Sequence, residues 1–299
     1  MVEQGWLLER FEENRPRLRG VAYRMLGSLS DAEDAVQEAW LRLNRIDAAT
    51  VENLGGWLTT VVSRVCLDTL RSRKARREEP IDAPGTEPSV VRGEGADPEA
   101  EAVLADSVGV ALLVVLDMLT PAERLAFVLH DLFDLRFDEI GSIIGRSPDA
   151  AKQLASRARR RVRGAAAPSD AGRAHQSQVL EAFLRAVRSG DLDALLAVLD
   201  PEAAIRIDGA TRMAGGAKDA ADEVRELRGA LTWAKQFIAM SRGLLFVQPA
   251  LINGSVGLIV APRGKLARVL TFTFANARVT GIEVIGDPAR LRELDIAVL

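Results

Sequence analysis

The sequence predicts a multi-domain chain: two all-α modules, the second carrying a helix-turn-helix, followed by an α+β domain. Three observations carry this. Apolar residues recur at helical spacing up to residue 163. Segments of period two appear only beyond residue 200, after two further helical stretches. Polar stretches at residues 78–106 and 164–174, poor in large apolar side chains, divide the chain.

The first module spans residues 5–77. Ser30 with Glu33 reads as a capping box, after which Ala32, Ala35, Val36, Ala39, Trp40 and Leu43 fall on one stripe. The opposite face carries Asp31, Asp34, Gln37 and Glu38. Gly55-Gly56 reads as a breaker, so a second strong helix is expected from Trp57, with Leu58, Val61, Val62 and Val65 buried. Thr60, Arg64, Asp68 and Arg71 lie opposite, and the module ends in RSRKARR.

Residues 78–106 form an acidic flexible linker in which nine carboxylates stand against Arg92. The second module, residues 107–163, contains Thr120-Pro121-x-Glu123, an N-cap, a first-turn proline and a capping-box acid. Residues 137–144, the turn Gly145-Arg146-Ser147 and a helix opened by Ser147 and Pro148 make the helix-turn-helix. In its last helix Ala151, Leu154, Ala155, Ala158 and Val162 point inward. That leaves Lys152, Gln153, Ser156, Arg157 and Arg160 outward, cations and an amide suited to guanine edges, phosphates and adenine. A solvated helix face is the plainer reading of such a run, but no acid interrupts residues 152–163. The formal net charge of −3 therefore hides two basic elements separated by an acidic spacer.

Other classes are excluded. No stretch approaches the roughly 20 apolar residues of a membrane span, and the amino end shows no basic segment followed by an apolar run, so a cytoplasmic location is expected. Cys66 is the sole cysteine, which rules out an internal disulfide and paired-thiolate metal sites; between Val65 and Leu67 it reads as a core residue. No cofactor and no metal are expected.

Residues 29–43 (LSDAEDAVQEAWLRL), 55–78 (GGWLTTVVSRVCLDTLRSRKARRE) and 119–162 (LTPAERLAFVLHDLFDLRFDEIGSIIGRSPDAAKQLASRARRRV) resemble, in order and spacing, the two domains of extracytoplasmic-function (ECF) sigma factors. The resemblance implies that RNA polymerase core, through its β′ clamp helices and β subunit, and promoter DNA are the partners. It makes Asp34, Gln37 and Glu38 candidate clamp contacts. Asn53, Trp57, Thr60, Arg64 and Arg71 become candidates for capturing the melted −10 element, with Trp57 open between a base-stacking platform and a core residue. Lys152, Gln153, Ser156 and Arg157 sit at the usual −35 contact positions, and the acidic spacer corresponds to the linker that threads polymerase channels.

Plain members of that family stop near Arg163, whereas residues 175–299 are similar to the SnoaL-like cone-shaped α+β fold, as in the ECF subgroups with such an extension. The subgroup's glycine-rich motif corresponds to Asp208-Gly209-Ala210-Thr211, and its later motif to residues 286–291, with Asp287, Pro288 and Leu291. Both depart from the subgroup pattern. A cone enzyme would need a base beside Asp208, yet the two histidines are His130 and His175 and the one tyrosine is Tyr23; a turn role for Asp208 is the plainer reading and no enzyme is expected. The expected role of the cone is regulation in cis, with a small apolar ligand as a candidate signal. Two rivals are a helix-turn-helix regulator acting without polymerase and a SnoaL-like enzyme fused to a DNA-binding module.

Overall fold

The computed structural model describes residues 2–46, 51–78, 109–164, 170–208, 225–239 and 247–299. Most of the acidic spacer, and Gly209, lie outside them. The chain divides into two compact units, Met1–Gly109 with Leu116–Arg159, and Val110–Val115 with Arg160–Leu299.

In the first unit α1 (Val2–Leu26), α2 (Leu29–Leu43) and α3 (Leu54–Glu78) pack on one another. Leu18, Val21 and Ala22 of α1, Val36, Ala39 and Leu43 of α2, and Leu58, Val62 and Cys66 of α3 are buried; of the expected stripes on α2 and α3, Trp40 and Val65 are only half-buried, and the α1 stripe was not expected from sequence. Two helix starts differ from the expected ones. Helix α2 begins at Leu29, because Leu29 is itself buried and the Ser28 hydroxyl accepts from the Asp31 N–H (3.3 Å). Glu33, expected to close a box with Ser30, instead pairs with Arg19 (2.8 Å). Helix α3 starts three residues before Trp57: the Asn53 carboxamide accepts from the Gly56 N–H (3.0 Å), and the glycines occupy the first turn rather than breaking it. A Cβ at Gly55 would sit 2.9 Å from Oδ1 of Asn14, so this turn runs close to α1.

After α4 (Val110–Asp117) comes α5 (Pro121–Phe127), opened by the expected capping box of Thr120 and Glu123 and continued by a π-helical turn at Val128–Leu132. Then α6 (Phe137–Ile144) and α7 (Pro148–Arg163) form the helix-turn-helix. Gly145, at φ 76, ends α6 in the left-handed conformation a short turn requires.

The second unit is α+β, as expected. Helices α8 (Asp170–Ser189) and α9 (Leu192–Val198) precede β1 (Leu199–Ile207), β2 (Arg225–Arg228), α10 (Ala230–Ala239), β3 (Val247–Ile252), β4 (Ser255–Val260), β5 (Arg268–Ala275), β6 (Arg278–Ile285), α11 (Pro288–Glu293) and β7 (Ile296–Ala297). The seven strands run in the order β2-β1-β6-β5-β4-β3-β7, antiparallel except for the β1–β6 pair. Ile205, Leu258, Leu270, Phe272 and Ile282 line one sheet face against Phe183 of α8 and Trp233 of α10. The Trp233 indole N–H donates to the Ala203 carbonyl (3.0 Å). Phe183 meets the Phe237 and Phe272 rings edge-on at 5.7 and 5.4 Å inside an otherwise largely aliphatic core. The stretch Val110–Val115 belongs to this unit: the Ala111 N–H donates to Oε1 of Gln248 (3.3 Å), and Leu113 lies against Gly264.

Candidate polymerase and promoter interface

Helix α7 presents two faces. Ala151, Leu154, Ala155 and Ala158 are buried, while Lys152, Gln153, Ser156, Arg157 and Arg160 are exposed. A 3.6-residue period with alanine inside lets the helix lie close to its neighbours and leaves the long polar side chains outside. The Ser147 hydroxyl accepts from the Ala150 N–H (3.2 Å) and fixes the helix start. Arg157 lies 3.7 Å from Glu123, more than half exposed and free to swing toward a ligand.

On α2, Asp34 and Gln37 are exposed, and Glu38 is half-buried and tied to Arg42 (2.8 Å). Gln37 borders a groove of about 310 Å³ between α1 and α2, lined also by Leu8, Phe11, Val36 and Trp40. The Phe11 and Trp40 rings lie 4.8 Å apart, and Leu8 and Leu41 are exposed. Of the three sequence-picked residues, Gln37 alone borders this groove, whose apolar floor sequence reading did not select. The missed signal was in α1, whose apolar residues only acquire a role once α2 is laid beside them.

The −10 candidates separate into two groups. Asn53, Trp57 and Thr60 line a cleft of about 860 Å³, with Trp57 half-buried at its wall. Arg64 and Arg71 are exposed along α3, Arg71 lying 3.7 Å from Asp68; neither borders the cleft. Another part of the cleft's wall comes from Asp134, Asp138, Glu139 and Ser142, residues that sequence reading did not select.

In the second unit Asp208 is 7% exposed, and its Oδ2 accepts from the N–H groups of Gly286 (2.8 Å) and Asp287 (2.9 Å). Arg290 stands 3.9 Å away. Asp287 caps α11 by accepting from Ala289 and Arg290 (2.9 and 2.8 Å), Pro288 is that helix's first residue, and Leu291 is buried. Asp208 of the first motif thus meets the second motif at the end of β1. Among the described residues no three His, Cys, Asp or Glu side chains are grouped to hold a metal, and no helix is long and apolar enough to cross a membrane.

Residues 10–76 match Sigma-70 region 2 and residues 109–162 match Sigma-70 region 4. A probable ECF RNA polymerase sigma factor SigI of Mycobacterium tuberculosis is 34% identical over 94% of this chain and 93% of its own length. The ECF RNA polymerase sigma factor SigJ of the same organism is 36% identical over 93% of this chain and 91% of its own. This chain belongs to the ECF sigma factors. A crystal structure of the M. tuberculosis SigJ covers 95% of this chain and 98% of its own at 33% identity, with a TM-score of 0.45.

As an ECF sigma factor, the protein directs RNA polymerase core to promoters, with regions 2 and 4 as the parts that meet core and the −10 and −35 elements. Region 2 of this sigma factor comprises α1 to α3, and region 4 runs from α4 through the helix-turn-helix. Beyond residue 162 lies the α+β domain, outside both matched regions.

Proposed function

We propose that the outward face of α7, with Lys152, Gln153, Ser156, Arg157 and Arg160, reads the −35 element in the major groove. Asn53, Trp57 and Thr60 hold unstacked bases of the −10 strand while Arg64 and Arg71 hold its backbone. Asp34, Gln37 and Glu38 dock on the β′ clamp helices, with Trp40 and Leu8 supplying apolar contact area. The observation that carries this reading is the two-sided character of α7: an alanine-rich buried stripe under an exposed face of cations and an amide, behind a glycine turn.

The α+β domain acts in cis on the two sigma regions. Support comes from Val110–Val115, a stretch upstream of the helix-turn-helix that packs within the α+β unit. The domain is not an enzyme: the Asp208 carboxylate is engaged by backbone N–H groups at the end of β1. The protein works in the cytoplasm, where polymerase is.

Run-off transcription with purified core polymerase on a promoter library tests the reading. Initiation from a shared −35/−10 pair that Gln153→Ala and Trp57→Ala each weaken is the expected result. Absence of initiation from every template, together with absence of core binding, overturns it. A chain ending at Ala167 separates the cis role: equal open-complex formation by full-length and shortened protein removes it and leaves the sigma activity standing.

A further inference from the structure

The π-helical turn at Val128–Leu132 touches both helices of the helix-turn-helix. Turns of this kind are rare and recur at functional sites. Two backbone bonds close this one: the Asp134 N–H donates to the His130 carbonyl (3.2 Å), and the Leu135 N–H donates to the Leu129 carbonyl (2.9 Å). Two consecutive residues of the turn then serve different helices. Nδ1 of His130 donates to the Leu135 carbonyl (2.9 Å), and its ring lies 4.0 Å from that of Phe137, the first residue of α6. A carbonyl only accepts, so Nδ1 carries the proton. Asp131 serves α7: its Oδ1 accepts from Nε of Arg159.

Arg159 belongs to the acid-free run of α7 yet differs from its neighbours. Lys152, Gln153, Ser156, Arg157 and Arg160 are exposed, whereas Arg159 is half-buried. It follows buried Ala155 by four residues and precedes half-buried Val162 by three, so it flanks the inward stripe. The side chains of Arg159 and Asp131 are 31% and 23% exposed, against 56% for Arg157, which stands 3.7 Å from Glu123. A sheltered pair is screened less by salt and solvent than an exposed one, and so holds its geometry better.

We propose that Asp131 and Arg159 are a positioning pair: Asp131, fixed by the π turn that also holds α6, sets the rotation of α7 about its own axis and hence which outward side chains reach base edges. The inference rests on the assignment of the outward face of α7 to −35 reading. Arg159 is not itself a DNA contact, although in the sequence it is one arginine among several in a row. The run thus divides into cations offered to DNA and a cation that orients them.

The test uses the full chain with purified core polymerase on a promoter that this holoenzyme transcribes, binding being measured against single-base −35 variants over a range of salt. Asp131→Asn keeps size and shape, and Arg159→Gln removes the charge. Each is expected to narrow discrimination between the preferred and the wrong base roughly fivefold, and the double variant no further, because both remove one interaction. Exchanging the partners, Asp131→Arg with Arg159→Asp, is expected to recover most of the loss. The salt slope of both single variants should match that of the parent, since no phosphate contact is lost. A phosphate-binding Arg159 predicts the reverse: a slope lower by about one in Arg159→Gln, parent-like binding of Asp131→Asn, and the exchange as the worst of the set. That pattern, or losses that add in the double variant, overturns the positioning pair. Circular dichroism checks that each variant is folded. Should Arg159→Gln unfold, Arg159→Lys takes its place, keeping the charge without the planar fork, with discrimination expected between that of the parent and of Asp131→Asn. A parent without −35 preference removes the reading of α7 beneath the pair, whereas a discriminating parent with equally discriminating variants removes the pair alone.

Discussion

Arg124 and Asp117 form an ion pair with unequal partners: Nη1 of Arg124 lies 3.3 Å from Oδ1 of Asp117, yet the Arg124 side chain is 3% exposed and that of Asp117 45%. Burial pulls the arginine's pKa below its ordinary value, and Asp117 opposes that shift. Removing the exposed acid therefore harms more than removing the buried base. Asp117→Ala leaves a buried cation without its counter-ion and should cost about 3 kcal/mol, whereas Arg124→Met leaves mainly the Arg24 carbonyl unpaired, about 1–3 kcal/mol. Denaturant midpoints of the two variants measure the order, and a more damaging Arg124→Met would refute it.

Cys66 predicts a pH dependence. Burial raises its thiol from 9.0 to about 12. The folded chain therefore keeps a proton that the unfolded chain loses, so the contribution is full below pH 9.0 and declines as pH rises toward about 12. Within that window stability should fall by about 1.4 kcal/mol per pH unit from this group. Cys66→Ala flattens that part of the profile, and native protein should resist thiol reagents until it unfolds. A parent and a variant with parallel profiles above pH 9.0 would contradict this.

These two residues show what sequence reading reached. Cys66 between apolar neighbours was legible as core because burial follows from period alone. Arg124 was not, because a lone arginine in a capped helix looks like surface until α1 brings the Arg24 carbonyl to it. The helix-turn-helix was legible for the same local reason as Cys66: glycine, serine and proline in the right order fix a turn without tertiary help. The start of α2 was misplaced by two residues since Ser28 and Ser30 are both able caps, and the burial of Leu29 decides between them. Strand β2 and helix α10 were not read at all. Arg225–Arg228 alternates charge with one leucine and gains strand structure only by pairing with β1, while the α10 stripe of Ala230, Trp233 and Phe237 is short. The far wall of the cleft beside Trp57 was invisible because it depends on pairing residues some eighty positions apart.

On the proposed reading, the outward face of α7 separates positioning from specificity. Lys152→Ala should weaken binding to all −35 sequences alike and lower the salt slope by about one. Gln153→Ala should instead cost about 1–3 kcal/mol at one base pair and relax preference there. Competition binding by holoenzyme across single-base promoter variants distinguishes them, and identical profiles for both variants would show that neither side chain reads bases.

Asp208 ties the end of β1 to the start of α11. Asp208→Ala removes the acceptor of two buried-side N–H groups and should lower the stability of the α+β domain by about 2–3 kcal/mol; Asp208→Asn, which keeps an acceptor oxygen, should cost less. Hydrogen exchange at Gly286 and Asp287 measures this directly. Faster exchange in the alanine variant is expected, and unchanged protection would mean the backbone holds that corner without the carboxylate.

Gly141 sets how closely the turn before α7 packs on α6. A Cβ there would lie 2.7 Å from the Arg146 carbonyl oxygen and 3.3 Å from the Pro148 nitrogen, both backbone atoms that cannot rotate away. Gly141→Ala must therefore push the turn off α6, although alanine is the better helix former by about 1 kcal/mol. Gly145→Ala meets no neighbouring atom but occupies φ 76, so its penalty is conformational, about 1 kcal/mol, with the turn kept. The two changes should thus part company in function: Gly145→Ala loses stability and retains −35 recognition, while Gly141→Ala loses recognition even where the protein remains folded by circular dichroism. Retained −35 footprints in Gly141→Ala would mean that α7 is oriented by contacts other than this turn.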